Sequence, residues 1–121
     1  MLAVGEYLDP GFDPRLARLG TGWGGGIGER ARLCGAVAAG VMLIGYRRGR
    51  TEPHEDDQLA QRLSGELLER FEAEAGFTEC RDRTGGVFNA TTHRRCGRIV
   101  TIAAEIIMDL LEPEGADDGQ H

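Results

Sequence analysis

The residues from Cys34 to Gly45 carry almost no polar side chains, in a chain that is otherwise rich in charge. An apolar stretch without a polar face is typical of a buried helix, and this one is shorter than the ~20 residues of a membrane span. Its first half is mainly glycine and alanine, so neighbouring helices can approach closely. Arg47, Arg48 and Gly49 follow it, as is typical of a helix C-terminus. We therefore predict a buried central helix over residues 34–45.

Two longer amphipathic helices are predicted after the central one. The first shows apolar residues at three- and four-residue steps and is expected to stop at Gly76; they are Leu59, Leu63, Leu67, Leu68, Phe71 and Ala75. The second is expected to be capped by Thr91 or Thr92. Its apolar stripe consists of Cys96, Ile99, Val100, Ala103, Ile106, Ile107, Leu110 and Leu111. Shorter helices are expected within residues 1–8 and after a cap at Asp13.

The pattern contains no alternation of apolar and polar residues long enough to predict a strand. The predicted fold class is therefore all-α, a small helical bundle around a buried Gly/Ala-rich central helix. A chain of 121 residues fits one domain, which we expect to span residues 1–112. Residues 113–121, PEGADDGQH, are acidic and poor in apolar groups, and we expect them to form a disordered tail.

Charge and composition argue against several classes of function. The net charge is −6 and the pI about 5.0, which disfavours binding to nucleic acid. All 14 basic residues are arginine, so the lysine of a phosphate-binding P-loop is missing. The start MLAVGEYLDP lacks the basic and long apolar regions of a secretory signal. We therefore expect a cytoplasmic protein with neither a nucleic acid nor a membrane as partner.

Three cysteines, Cys34, Cys80 and Cys96, are the best candidates for chemistry. A cytoplasmic compartment keeps thiols reduced, so redox chemistry or metal binding is favoured over a structural disulfide framework. Each cysteine has arginines near it in the sequence, and nearby cations favour the reactive thiolate. Cys34 also lies at the start of the predicted central helix, whose dipole favours an anion. The competing interpretation is that all three are buried and inert, because free cysteine packs as a small apolar group.

Two chemistries are compatible with these cysteines. The first is a dithiol/disulfide pair, most simply Cys80 with Cys96, which would close a loop of about 15 residues and contribute on the order of 3 kcal/mol. The second is a metal ion or iron–sulfur cluster held by Cys34, Cys80 and Cys96. His93 is the candidate fourth ligand, because a residue three positions before Cys96 shares its helix face. A solvated position at the helix start is the competing interpretation of His93.

Glycines dominate the segment between residues 22 and 28, which also holds Trp23 and Ile27. Large apolar side chains are rare in flexible linkers, so we predict a tight turn beside the central helix. Gly24, Gly25 and Gly26 could offer backbone N–H groups to an anion or the edge of a cofactor. Close packing against the central helix is the other interpretation. Residues 20–25, GTGWGG, match G-x-G-x-x-G, but no strand precedes them, so a dinucleotide site is not predicted.

The glycine run, the sequence Cys34-Gly35-Ala36 at the start of an apolar helix, and single cysteines at positions 80 and 96 together form a recognisable pattern. The chain resembles the C_GCAxxG_C_C family of small helical proteins, named for their cysteine pattern. The resemblance covers roughly residues 1–112 and implies a redox or metal-linked role for the cysteines. Two features depart from the family pattern: no cysteine precedes Cys34, and Ala39-Gly40 replaces the order Gly-Ala.

Two functions are therefore compatible with the sequence. In the first, Cys34, Cys80 and Cys96 converge beside the glycine turn and form a redox-active or metal-binding site, which works with a redox partner protein. In the second, the chain is a helical interaction protein with inert cysteines. It would assemble as a homo-oligomer, most simply a dimer, through its thin Gly/Ala helix.

Overall fold

The computed structural model contains five α-helices and one 3-10 helix in the part of the chain that it describes. It describes residues 2–24, 26–84 and 90–112, with side chains at all of these except positions 2, 83, 84 and 90–96. The α-helices are α1 (Leu2–Leu8), α2 (Gly35–Arg48), α3 (Gln58–Ala75), α4 (Cys80–Thr84) and α5 (Ala90–Leu111), and the 3-10 helix spans Pro14–Trp23. No strand occurs in these ranges, so the predicted all-α class is confirmed.

Helix α2 is the central element, because it packs against α3, α5 and the 3-10 helix. Its buried face is formed by small and branched residues, Val37, Ala38, Gly40, Leu43 and Ile44. The helix runs three residues beyond the predicted segment 34–45, so Arg47 and Arg48 lie in its last turn, where the helix dipole favours cations. The opposite face is less covered than an all-apolar segment suggests, since Val41 is 39% exposed.

Helices α3 and α5 complete the bundle with most of the stripes that their sequences predict. Leu68 and Val100, which the predicted stripes include, are instead 40% and 56% exposed. Phe71 and Leu67 of α3 are fully buried, as are Ile106 and Leu111 of α5. Helix α3 ends at Ala75, and Gly76 adopts a left-handed conformation whose N–H donates to the carbonyl of Glu72. This agrees with the predicted stop. The start of α5 differs from the prediction: the helix already begins at Ala90, so Thr91 and Thr92 lie inside its first turn instead of capping it.

The beginning of the chain is tied to the end of α2. Asp13 caps the 3-10 helix by accepting a hydrogen bond from the Arg15 N–H, as predicted. The Tyr46 hydroxyl donates to Oδ2 of Asp9 at 2.7 Å. That bond holds the pKa of Asp9 below its ordinary value and raises the pKa of Tyr46. Phe12 packs edge-to-face on the Tyr46 ring with centroids 5.1 Å apart. These contacts fix the short N-terminal helices on the bundle.

Several predictions fall on residues outside the described ranges. Helix α4 lies between α3 and α5, and residues 85–89, which follow it, lie outside the description. The acidic tail 113–121 lies outside it as well. None of the described helices is both long enough and apolar enough to span a membrane.

Candidate functional site

Two short segments pair in an antiparallel manner and bring Cys34 and Cys80 into one neighbourhood. Leu33 lies opposite Glu79 in an isolated β-bridge. The Cys34 N–H donates to the Thr78 carbonyl at 2.8 Å, and the Cys80 N–H donates to the Arg32 carbonyl at 2.5 Å. The pairing therefore joins the segment before α2 to the segment before α4. It is too short to leave an alternating pattern in the sequence, which explains why it was not predicted.

The register of this pairing determines how the two cysteines are related. Cys34 lies opposite Thr78 and Cys80 lies opposite Arg32, so the two cysteines occupy diagonal positions of the pairing. Diagonal neighbours in an antiparallel pair lie about 7–8 Å apart, somewhat less between Cβ atoms. That separation slightly exceeds the usual Cα distance of a disulfide. A bond between them would therefore need the backbone to move.

Cys34 occupies the N-cap position of α2 with extended backbone angles. It is half-buried, and its side chain makes no capping hydrogen bond to the helix. Its carbonyl accepts from the N–H groups of Val37 and Ala38, each at 3.1 Å, in the first turn. The positive end of the α2 dipole favours the thiolate form of a cysteine at this position. Arg32, which is exposed, adds a cation to the same pairing.

Cys80 is the first residue of α4, and its side chain is buried, with 8% exposed. Gly26 lies directly against it. A Cβ at Gly26 would come within 2.7 Å of the Cys80 Cβ and 2.6 Å of the Arg32 nitrogen, distances that real Cβ atoms do not tolerate. Gly26 therefore gives the close packing that glycine permits, and its contacts are with Cys80 and with Arg32 in the segment that precedes α2.

The candidate cofactor-binding glycines differ in their surroundings. The Gly26 N–H donates to the Trp23 carbonyl at 3.1 Å, and the Gly24 N–H points to the Thr21 carbonyl at 3.5 Å. Both donors are thus directed to carbonyls of their own turn. Gly24 is exposed, and Gly25 lies outside the described residues.

The predicted metal ligands are described only in part. Cys96 and His93 lie in the first two turns of α5, and their side chains are outside the description. Among the side chains that the structure does describe, no group of three or more histidine, cysteine, aspartate or glutamate residues could hold a metal ion. The metal site and the three-cysteine convergence therefore stay predictions, and the described part of the site is the Cys34–Cys80 neighbourhood.

Comparison with known protein families matches residues 1–110 to the family described as "Putative redox-active protein (C_GCAxxG_C_C)". The chain belongs to the C_GCAxxG_C_C family. No curated protein and no solved structure matches it. Because the family is named for its cysteines, the match directs attention to the pairing that carries Cys34 and Cys80.

Proposed function

We propose that this member of the C_GCAxxG_C_C family is a dithiol redox protein in which Cys34 attacks and Cys80 resolves. The observation that carries the proposal is the antiparallel pairing of the two segments that hold these residues. It supports a reaction between the two sulfurs because it holds the two residues in one neighbourhood, from which a backbone movement can bring the sulfurs to bonding distance.

The different surroundings of the two cysteines support their different roles. Cys34 is half-buried at a helix N-terminus, where a thiolate is favoured and an external disulfide can be reached. Cys80 is buried, so it is better suited to an intramolecular reaction. A disulfide of a redox partner protein is the class of substrate that this arrangement fits.

The proposed reaction balances as two thiol–disulfide exchanges. The Cys34 thiolate attacks one sulfur of the partner disulfide, breaks its S–S bond and releases the other sulfur as a thiolate. The Cys80 thiolate then attacks the Cys34 sulfur in the mixed disulfide and releases the second partner thiolate. The partner disulfide gains two electrons, and this chain is left with a Cys34–Cys80 disulfide that a second dithiol must reduce.

Disulfide mapping tests this proposal, because cleavage after arginine separates the three cysteines. Trypsin leaves Cys34 in the peptide 33–47, Cys80 in 71–81 and Cys96 in 96–98. The reduced protein is oxidised with glutathione disulfide and digested without reductant. We expect the 33–47 and 71–81 peptides to be linked in the wild type and in Cys96→Ser, and to be unlinked in Cys34→Ser and Cys80→Ser.

A different disulfide linkage, or a metal bound to the purified protein, would contradict the proposal. A link between 71–81 and 96–98 would replace it with the predicted Cys80–Cys96 pair. Stoichiometric metal in anaerobically purified protein, lost in Cys34→Ser and His93→Ala, would replace it with the metal or iron–sulfur site.

A helical interaction protein is the second candidate function, and the exposed side of α2 favours it. Val41 and Tyr46 leave 39% and 42% of their surfaces exposed, and this side of the thin helix could pack against a second copy of the chain. In that case the cysteines would react with a thiol reagent slowly and identically before and after reduction. A redox pair would gain reactive thiols on reduction.

A further inference from the structure

Residues 26–32 form a strap that lies against the segment carrying Cys80. Gly26 is buried, and a Cβ at this position would lie 2.7 Å from the Cys80 Cβ. The far end of the strap is bonded to the same segment: the Cys80 N–H donates to the Arg32 carbonyl, and the Arg81 N–H donates to the Ala31 carbonyl at 2.9 Å. The strap therefore touches Cys80 at both of its ends.

The strap has an unusual backbone conformation. Its φ angles are positive at Gly26, Ile27, Gly28, Glu29 and Ala31, with values between 58° and 77°. Three of these residues carry a side chain, and a β-branched residue such as Ile27 is a genuine outlier in this region. Such strain persists only where surrounding structure imposes it, and it is common at functional sites.

Few buried side chains hold the strap in place. Ile27, Gly28, Glu29 and Arg30 are all exposed, so the closed position depends mainly on backbone hydrogen bonds. The Arg32 N–H donates to the Gly26 carbonyl at 2.9 Å, and the Gly28 N–H donates to the Gly22 carbonyl at 2.8 Å. A strained segment with little buried apolar surface belongs to the parts of a protein that open locally at low cost.

We propose that this strap shields Cys80 from solvent, so that Cys34 is the first thiol to react with an external reagent. With the strap closed, Cys34 is the accessible thiol and Cys80 is reserved for the intramolecular step. Gly26 is then a positioning residue that acts through Cys80, because only glycine lets the strap lie on the cysteine. The biological role of the shield rests on the proposed dithiol function, whereas the shielding itself can be measured without redox turnover.

Alkylation rates of the individual cysteines test the shield. The fully reduced protein is pulsed with iodoacetamide, quenched and digested with trypsin, and the modified 33–47 and 71–81 peptides are quantified over time. We expect Cys34 to be labelled faster than Cys80 in the wild type. In Gly26→Ala, the new methyl group displaces the strap, and we expect Cys80 labelling to accelerate about tenfold, which corresponds to about 1.4 kcal/mol.

Gly28→Ala is the matched control for this substitution. Gly28 also has a positive φ, 58°, but nothing lies within 4 Å of the position that its Cβ would take. Both variants therefore add an alanine in a strained conformation, and only Gly26→Ala adds a collision with Cys80. We expect Gly28→Ala to accelerate Cys80 clearly less than Gly26→Ala does, with Cys34 labelling little changed in either.

A third variant keeps the test decisive if Gly26→Ala fails to fold. Glu29→Gly relieves a positive φ of 62° at an exposed position and should slow Cys80 labelling relative to the wild type. Equal labelling of Cys80 and Cys34 in the wild type would overturn the shield, as would a Cys80 rate that none of the three variants changes. If the rates follow the expectation but no Cys34–Cys80 disulfide forms, the shield stands and the proposed redox function fails.

Discussion

Gly40 lies where three helices meet, and its missing side chain determines how closely they approach. A Cβ at this position would lie 2.7 Å from Cδ1 of Ile107 in α5 and 2.7 Å from Cδ2 of Leu67 in α3. Gly45, five residues further along α2, has nothing within 4 Å of the corresponding position. Close packing of the helices therefore requires glycine at position 40 but not at position 45.

This difference predicts that the same substitution changes the free energy of unfolding differently at the two positions. Both Gly40→Ala and Gly45→Ala should gain about 1 kcal/mol from helix propensity, but only Gly40→Ala overpacks the core, at about 1–3 kcal/mol. Gly45→Ala should therefore raise the free energy of unfolding, and Gly40→Ala should fall about 1–3 kcal/mol below it. Urea unfolding followed by circular dichroism measures both. Equal stabilities would show that the Ile107 and Leu67 side chains move aside without cost.

The sequence shows where glycines cluster but not which residues each glycine contacts. The turn around Gly26 was predicted from Trp23 and Ile27, whereas the contact with Cys80 joins positions far apart in the chain. Positive φ angles at Ile27, Glu29 and Ala31 could not be predicted either, because these residue types disfavour them. Such angles result from constraints imposed by the fold around them.

In helix α3, two neighbouring leucines differ in how far their side chains are buried. Leu67 is fully buried between α2 and α5, whereas Leu68 is 40% exposed. Leu67→Ala should lower the free energy of unfolding by about 2–5 kcal/mol, because it leaves a cavity. Leu68→Ala on the same helix should cost about 1 kcal/mol or less. Urea titrations of the two variants make the comparison, and similar losses would mean that α3 is rotated about its axis relative to the structure described.

Helix boundaries were predictable where a strong local signal marks them. Gly76 ends α3 because a left-handed residue closes the helix through the Glu72 carbonyl, and this needs no distant partner. The start of α5 at Ala90 precedes the threonines expected to cap it. A side-chain cap is a local preference worth about 1 kcal/mol, which packing of the long helix can override.

For the whole molecule, every buried side chain that the structure describes lies between Val4 and Leu111. Deleting residues 113–121 should therefore leave the free energy of unfolding, measured by urea titration, unchanged within about 0.5 kcal/mol, because an acidic, apolar-poor segment contributes little to a core. A longer deletion that starts at Leu111, which is fully buried, is the control. It should lower stability by about 2 kcal/mol or more, and a comparable loss in the shorter deletion would contradict the predicted domain boundary.

The sequence by itself determined the helical class, the central position of α2 and most of the apolar stripes of α3 and α5, and it singled out three cysteines as candidates for chemistry. These properties depend on local periodicity and residue type, which are present in any short window of the chain. Only the tertiary structure decided that the segment before α2 pairs with the segment before α4, which brings Cys34 and Cys80 together and lays Gly26 on Cys80. Such a pairing consists of a few backbone hydrogen bonds between distant residues, and backbone groups are the same at every position, so no side-chain pattern encodes it.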